Sequence, residues 1–108
     1  MTDKIVVLNT CGSAEEAEKI ARELVSKKLA ACVNLLPAVR SIYRWKDAVE
    51  DAQEVLLVIK SSRALFQELR AEIEKLHSYE TAEVIALPIV DGSEAYLDWM
   101  SRELQDIS

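Results

Sequence analysis

The sequence predicts an α+β fold: a four-stranded antiparallel sheet in βαββαβ order, followed by one more helix. Three observations predict it. Short continuous apolar runs of strand length recur along the chain. Segments with apolar residues at helical spacing separate the first run from the second, and the third from the fourth. The second and third runs are joined by only a few polar residues, so they pair as a long hairpin.

The elements follow in order. Ile5-Val6-Val7-Leu8 is an apolar run read as a buried strand. Ser13 stands three residues before Glu16, the spacing of a capping box. Ala17, Ile20, Ala21, Leu24 and Val25 then mark an amphipathic helix over 14–28. Ala30 to Leu36 is a second strand whose extended character continues through Val39, Ile42, Tyr43 and Trp45. Pro37 interrupts it, which calls for a bulge or an edge position because proline has no N–H for the ladder. Lys46-Asp47-Ala48 turns the chain, and Val49 leads through Glu50 to Gln53 into the strand Val55–Ile59.

Ser61 and Ser62 are alternative N-caps for a second helix whose apolar face is Leu65, Phe66, Leu69, Ile73 and Leu76. Glu83 to Val90, with Val84-Ile85-Ala86-Leu87 at its centre, is the fourth strand. Asp91-Gly92-Ser93 forms a turn and cap before a third helix with Tyr96, Leu97, Met100 and Leu104 on its apolar side. Two βαβ units of this kind give the ferredoxin-like arrangement. Right-handed crossovers then put the first two helices on one face of the sheet.

The middle hairpin is too long for its own domain. A strand from 30 to 45 extends roughly 50 Å at ~3.3 Å per residue, whereas a compact domain of this size is on the order of 35 Å across. The overhang carries Ile42, Tyr43 and Trp45, large apolar groups that a lone chain exposes. Pairing between subunits covers them; the alternative is that Pro37 breaks the strand and the rest folds back as a loop.

Composition bounds the rest. The 108 residues fit a single domain over 1–108, with half of the residues apolar. Lys+Arg 13 against Asp+Glu 19 gives a net charge of −6. Such a surface repels nucleic acid and anionic membrane, whose binding rests on clustered Lys and Arg, and it concentrates cations. No segment reaches the ~18 apolar residues of a membrane span, and the run after Lys4 is too short for a signal peptide. A cytoplasmic address is expected. Cys11 and Cys32 form no CxxC pair and read as free thiols. Cys32, between Ala31 and Val33, reads as a small buried hydrophobe on a central strand. Cys11 precedes a helix start, where the macrodipole lowers a thiol pKa, so it is the more reactive candidate.

Five strings in register resemble the CutA family of divalent-cation-tolerance proteins. They are Leu29-Ala30-Ala31-Cys32-Val33-Asn34, Ser41-Ile42-Tyr43-Arg44-Trp45-Lys46, Glu54 to Lys60, His77 to Pro88, and Tyr96-Leu97-Asp98-Trp99. The resemblance covers nearly the whole chain. It implies a ferredoxin-like protomer in a homotrimer similar in architecture to the PII signalling proteins, with the long hairpins paired between protomers. Tyr43, Trp45 and Tyr96 are then trimer-interface residues. It implies a non-enzymatic role in tolerance to divalent cations, with Cu²⁺ or another divalent cation as the ion and no organic cofactor.

The chain departs from the family pattern in three places. Asp47 replaces the glycine of the W-K-G turn, which predicts a different or wider turn. Ser78 replaces the proline of an HPYE string. The copper site assigned in some bacterial relatives, a first-strand cysteine and two adjacent histidines, aligns with Asn9, Leu76 and His77, and only His77 matches.

His77 is therefore the candidate metal ligand, with Glu80 and Glu83 as nearby carboxylates. The alternative is a histidine bonded to a backbone carbonyl at the end of the second helix. Lys60, Tyr79, Glu80 and Trp99 are candidates for a cleft between protomers, or else ordinary interface packing and ion pairing. Two other function classes fail on sequence. An acylphosphatase needs a phosphate-binding arginine after the first strand, where Asn9-Thr10-Cys11-Gly12-Ser13 has none. An RNA-binding sheet needs aromatics on its central strands and a basic surface. A trimer that scaffolds a partner protein with little metal binding remains the competing reading.

Overall fold

The computed structural model describes residues 2–106. Its strands are β1 (Lys4–Cys11), β2 (Cys32–Trp45), β3 (Ala48–Ser62) and β4 (Ile85–Pro88). Its helices are α1 (Ala14–Ser26), α2 (Phe66–Leu76), preceded by one 3₁₀ turn at Arg63–Leu65, and α3 (Glu94–Glu103). The sheet order is β2-β3-β1-β4, and every neighbouring pair is antiparallel. This is the ferredoxin-like arrangement that the order of elements predicts.

Period-two alternation decides which residues make the core. Ile5, Val7, Asn9 and Cys11 of β1 lie opposite Ser61, Ile59, Leu57 and Val55 of β3, and all are buried. Ala17, Ile20, Ala21 and Leu24 of α1 and Leu69 and Ile73 of α2 join the same cluster. Met100 and Leu104 add the end of α3 to it. Each large aliphatic side chain buried there contributes roughly 1.5–3 kcal/mol.

Ser13 caps α1 by accepting the Glu16 N–H at 3.2 Å, and Ser93 caps α3 by accepting the Tyr96 N–H at 3.2 Å. Neither Ser61 nor Ser62 caps α2. The 3₁₀ turn moves the helix start to Phe66, Ser62 makes no capping bond, and the buried Ser61 hydroxyl donates to the Leu29 carbonyl at 2.7 Å. The fourth strand is also shorter than 83–90. The Asn9 side-chain amide holds the Glu83 carbonyl at 2.9 Å in place of a ladder bond, and regular pairing begins only at Ile85.

The hairpin passes straight through Pro37. Leu36 pairs with Leu56 and Val39 with Glu54, so Pro37 and Ala38 together face Val55 in a β-bulge, with Ala38 at φ 61°. β2 is an edge strand, which is where a residue without an N–H is tolerated. Beyond the bulge, Val39–Trp45 pair only with Ala48–Glu54, because β1 ends opposite Val55. The overhang is therefore real, and the chain measures 44 × 25 × 21 Å.

Two expectations are corrected here. The hairpin turn is not wide: Trp45 pairs with Ala48 across the two residues Lys46 and Asp47, at φ 50° and 68°. Positive φ at both positions is the type I′ signature, and aspartate tolerates it better than most residues. Cys32 sits on the edge strand rather than a central one and is only half-buried.

Candidate functional site

A buried polar cluster forms where β1 ends and α1 begins. His77 follows α2 directly and closes it, its N–H donating to the Ile73 carbonyl at 2.9 Å. Its imidazole is fully buried, with Nε2 2.7 Å from the Thr10 carbonyl oxygen. A carbonyl only accepts, so Nε2 carries the proton. Nδ1 accepts the Tyr79 N–H at 3.1 Å, which leaves a neutral ring with both nitrogens engaged.

Glu16 faces this ring from the first turn of α1. One carboxylate oxygen accepts the Ser78 N–H at 3.1 Å. The other, Oε2, is buried without a hydrogen-bond partner among the described residues and lies 3.6 Å from His77 Nδ1. The Cys11 thiol, fully buried, donates to Asn9 Oδ1 at 3.4 Å. Burial pushes this thiol up to about 12, and the carboxylates of Glu16 and Glu54 push in the same direction. The expected lowering by the helix macrodipole is overridden, because desolvation and two nearby carboxylates disfavour a thiolate there. Sulfur, carboxylate oxygen and imidazole nitrogen of Cys11, Glu16 and His77 all lie within 4.8 Å of one another.

Next to the cluster lies a groove of about 740 Å³ between the overhanging hairpin and the 78–83 segment. Thr10 and Glu54 line it together with Ser41, Ile42, Tyr43 and Trp45 from β2 and Ser78, Tyr79, Glu80, Thr81 and Glu83. The Tyr79 hydroxyl donates to Glu54 Oε2 at 2.7 Å. Burial and this carboxylate hold the phenol well above its usual range. Tyr79 also packs against Gly12, where a Cβ would meet its hydroxyl oxygen at 3.1 Å.

The profile of the CutA1 divalent ion tolerance family matches residues 5–103. The chain belongs to this family. A divalent-cation tolerance protein CutA from Thermus thermophilus is 46% identical over 88% of this chain and 92% of its own length. Protein CutA of Mus musculus is 44% identical over 92% of this chain but 56% of its own, so the chain spans about half of that relative. The solved structure of Cut A1 from Thermus thermophilus superposes with a TM-score of 0.92 at 43% identity, covering 94% of this chain and 99% of that one. None of these names states a catalytic activity. No helix among the described residues is long and apolar enough to cross a membrane.

Against this CutA1 background the sequence-derived candidates separate. His77 is grouped with Cys11 and Glu16 rather than with Glu80 and Glu83. Glu80 and Glu83 are exposed on the lip of the groove, with Glu80 3.7 Å from Lys46 Nζ. Tyr43, Trp45 and Tyr79 share the groove wall. Lys60 lies elsewhere, opposite Val6 on β1, and donates to Asn34 Oδ1 beside the Cys32 sulfur. Trp99 is half-buried on α3, its ring 5.4 Å from that of Tyr96. Within one chain, then, Lys60 and Trp99 do not meet Tyr79 and Glu80. Sequence reading missed Glu16 and Glu54. The capping-box spacing assigned Glu16 to its own helix end, and nothing in the string before Val55 marks Glu54 as buried.

The face of the sheet opposite α1 and α2 carries an incompletely covered apolar patch beside Lys60 and Asn34. Val6, Leu8, Leu56 and Val58 are half-buried on its central strands. Leu36, Ile85 and Leu87, on its outer strands, are 42%, 50% and 47% exposed.

Proposed function

We propose that this chain works as a non-enzymatic cytoplasmic homotrimer in divalent metal-ion tolerance, with copper as the ion. The observation that carries the reading is the family match over residues 5–103. The incompletely covered apolar patch on the sheet and the overhanging hairpin support self-assembly. A row of half-exposed Val, Leu and Ile beside an unpaired strand edge is stable in water only when another subunit covers it. Lys60, Trp99, Tyr79 and Glu80 meet in a cleft only if different protomers contribute them, and the exposure of Tyr43, Trp45 and Tyr96 leaves them available for contacts between protomers.

Cys11, Glu16 and His77 are the residues that would hold the ion. Thiolate, carboxylate and imidazole are a donor set suited to Cu²⁺ or Zn²⁺. The orphaned Glu16 Oε2 is a buried acceptor that a cation would satisfy. Binding requires the Cys11 proton to leave and His77 Nδ1 to give up the Tyr79 N–H, so affinity rises with pH. Glu80 and Glu83 belong to the groove and play no part in this set.

Calorimetric titration of the metal-free protein with Cu²⁺, beside Cys11→Ser and His77→Ala, tests the ion. Micromolar or tighter binding, lost in both variants, is expected. No heat above the buffer control would sink the copper reading and favour a scaffold for a partner protein, which the engaged imidazole also suits. Sedimentation tests the assembly: a species of three 12.1 kDa chains is expected.

A further inference from the structure

We propose that the 78–83 segment and an ion compete for the same atoms of Cys11 and His77, so that ion binding unseats the segment and the seated segment restrains ion binding. The inference rests on the ion set proposed above and adds what regulates it.

The 78–83 segment belongs to no helix or strand. Among the described residues, none of its main-chain groups bonds to another main-chain group. Side chains hold it instead, and its main-chain anchors lead back to the candidate ion set. Glu16 Oε1 accepts the Ser78 N–H at 3.1 Å, and His77 Nδ1 accepts the Tyr79 N–H at 3.1 Å. At the far end, Asn9 Nδ2 donates to the Glu83 carbonyl at 2.9 Å while Asn9 Oδ1 accepts the Cys11 thiol at 3.4 Å. All of these contacts lie within one chain, so they do not depend on what packs against the outer side of the segment.

An ion claims two of these anchors. His77 Nε2 is fixed on the Thr10 carbonyl, so Nδ1, 3.6 Å from Glu16 Oε2, is the nitrogen that serves the ion set. Its one lone pair cannot take an ion and the Tyr79 N–H together. Cys11 ligates as a thiolate, and the proton it loses to solvent is the one that Asn9 Oδ1 accepts. Asn9 is fully buried, so an Oδ1 left without a donor is costly; the amide turns, and its hold on Glu83 goes with it. Glu16 behaves differently. Its Oε2 has no partner among the described residues while Oε1 holds Ser78, so one carboxylate serves the ion and the segment at once. Ser78 is then the pivot, and the chain from Tyr79 to Glu83 is what swings.

Tyr79 carries the movement outward. Its hydroxyl donates to Glu54 Oε2 at 2.7 Å, and its ring centroid lies 4.7 Å from that of His77. Both contacts need the segment seated. Glu54 stands opposite Val39, the first pair of the hairpin overhang beyond the bulge. The coupling is reciprocal. Whatever strengthens seating, the Tyr79–Glu54 bond included, lowers the affinity for the ion, and whatever weakens seating raises it. Tyr79 is thus a positioning residue that sets affinity without touching the ion.

Hydrogen–deuterium exchange read by mass spectrometry, with fragmentation that separates the Ser78 and Tyr79 amides, tests the competition on the full chain with and without saturating Cu²⁺. The Tyr79 amide should exchange at least tenfold faster with the ion, while the Ser78 and β1 amides change little. Calorimetry of Tyr79→Phe, which keeps the ring and the main-chain N–H but loses the Glu54 bond, should show Cu²⁺ bound at least threefold more tightly than by wild type. A merely structural role for Tyr79 predicts equal or weaker binding. Cu²⁺ that binds wild type while the Tyr79 amide keeps its protection, or an affinity unchanged or reduced in Tyr79→Phe, would overturn the competition and leave the ion set standing. No Cu²⁺ binding to wild type would overturn the ion set, and the competition with it.

Discussion

His77 Nε2 lies 2.7 Å from the main-chain carbonyl of Thr10, across 67 residues of sequence. The bond ties the end of α2 to the end of β1, and Nδ1 holds the following loop through the Tyr79 N–H. Replacing His77 by alanine strands both partners in a buried setting. His77→Ala should therefore lose roughly 2–4 kcal/mol of stability even in EDTA, from two unmet bonds and a small cavity. Urea unfolding measures it. A variant as stable as wild type without metal would show that the ring is held for ligation alone.

The two thiols should behave oppositely. Cys11 is fully buried and its thiol is pushed up to about 12, so it resists thiolate chemistry near neutrality. Cys32 is half-buried at the sheet edge beside the Lys60 ammonium. A disulfide-exchange reagent at pH 8 should modify one thiol per native chain, Cys32, and both only in denaturant. Mass mapping of the labelled peptide decides it. Rapid labelling of Cys11 in the native state would mean that the end of β1 opens readily.

At the hairpin tip, Asp47 holds φ 68°, a region that favours glycine. Asp47→Gly should stabilise the chain by about 0.5–1 kcal/mol, since a type I′ turn prefers glycine at its second central position. The urea midpoint should rise with an unchanged slope. A fall would show that the aspartate side chain contributes more to the turn than its backbone strain removes.

The fold was legible because its signals are local. Period-two burial along Ile5–Cys11 and Val55–Ser61, helical spacing from Ala17 to Leu24, and the Ser13 and Ser93 caps each point to one answer. The overhang followed from length alone, since no ~35 Å body can contain a ~50 Å strand. The site was less legible. Which carboxylate meets His77 depends on how α1 packs against the loop after α2, a contact between residues 62 positions apart. The nearby Glu80 and Glu83 were the natural choice from sequence, whereas Glu16 and Glu54 reach the buried cluster only through tertiary packing. The Cys11 thiol failed for a related reason: proximity to a helix start is readable in sequence, but burial beside two carboxylates is not.

The last prediction concerns acid. Glu72 on α2 accepts from Lys27 Nζ at 2.6 Å, joining the segment after α1 to α2. That bond holds the Glu72 carboxyl below the usual carboxylate range; burial opposes the shift, and the charges of Lys27 and Lys75 add to it. The folded state thus binds this proton less readily than the unfolded chain does. The pair's contribution is fully present above the ordinary glutamate value, around 4.3, and disappears as pH falls through the lowered folded value. The drop in Tm from pH 7 to pH 3 should therefore be larger for wild type than for Glu72→Gln, which has no such proton to gain. Because Lys27 is exposed, the difference should shrink in high salt. Equal drops for the two proteins at low salt would show that Lys27 and Glu72 contribute nothing to stability, leaving α1 and α2 held together by Leu24, Leu69, Ile73 and the rest of the core.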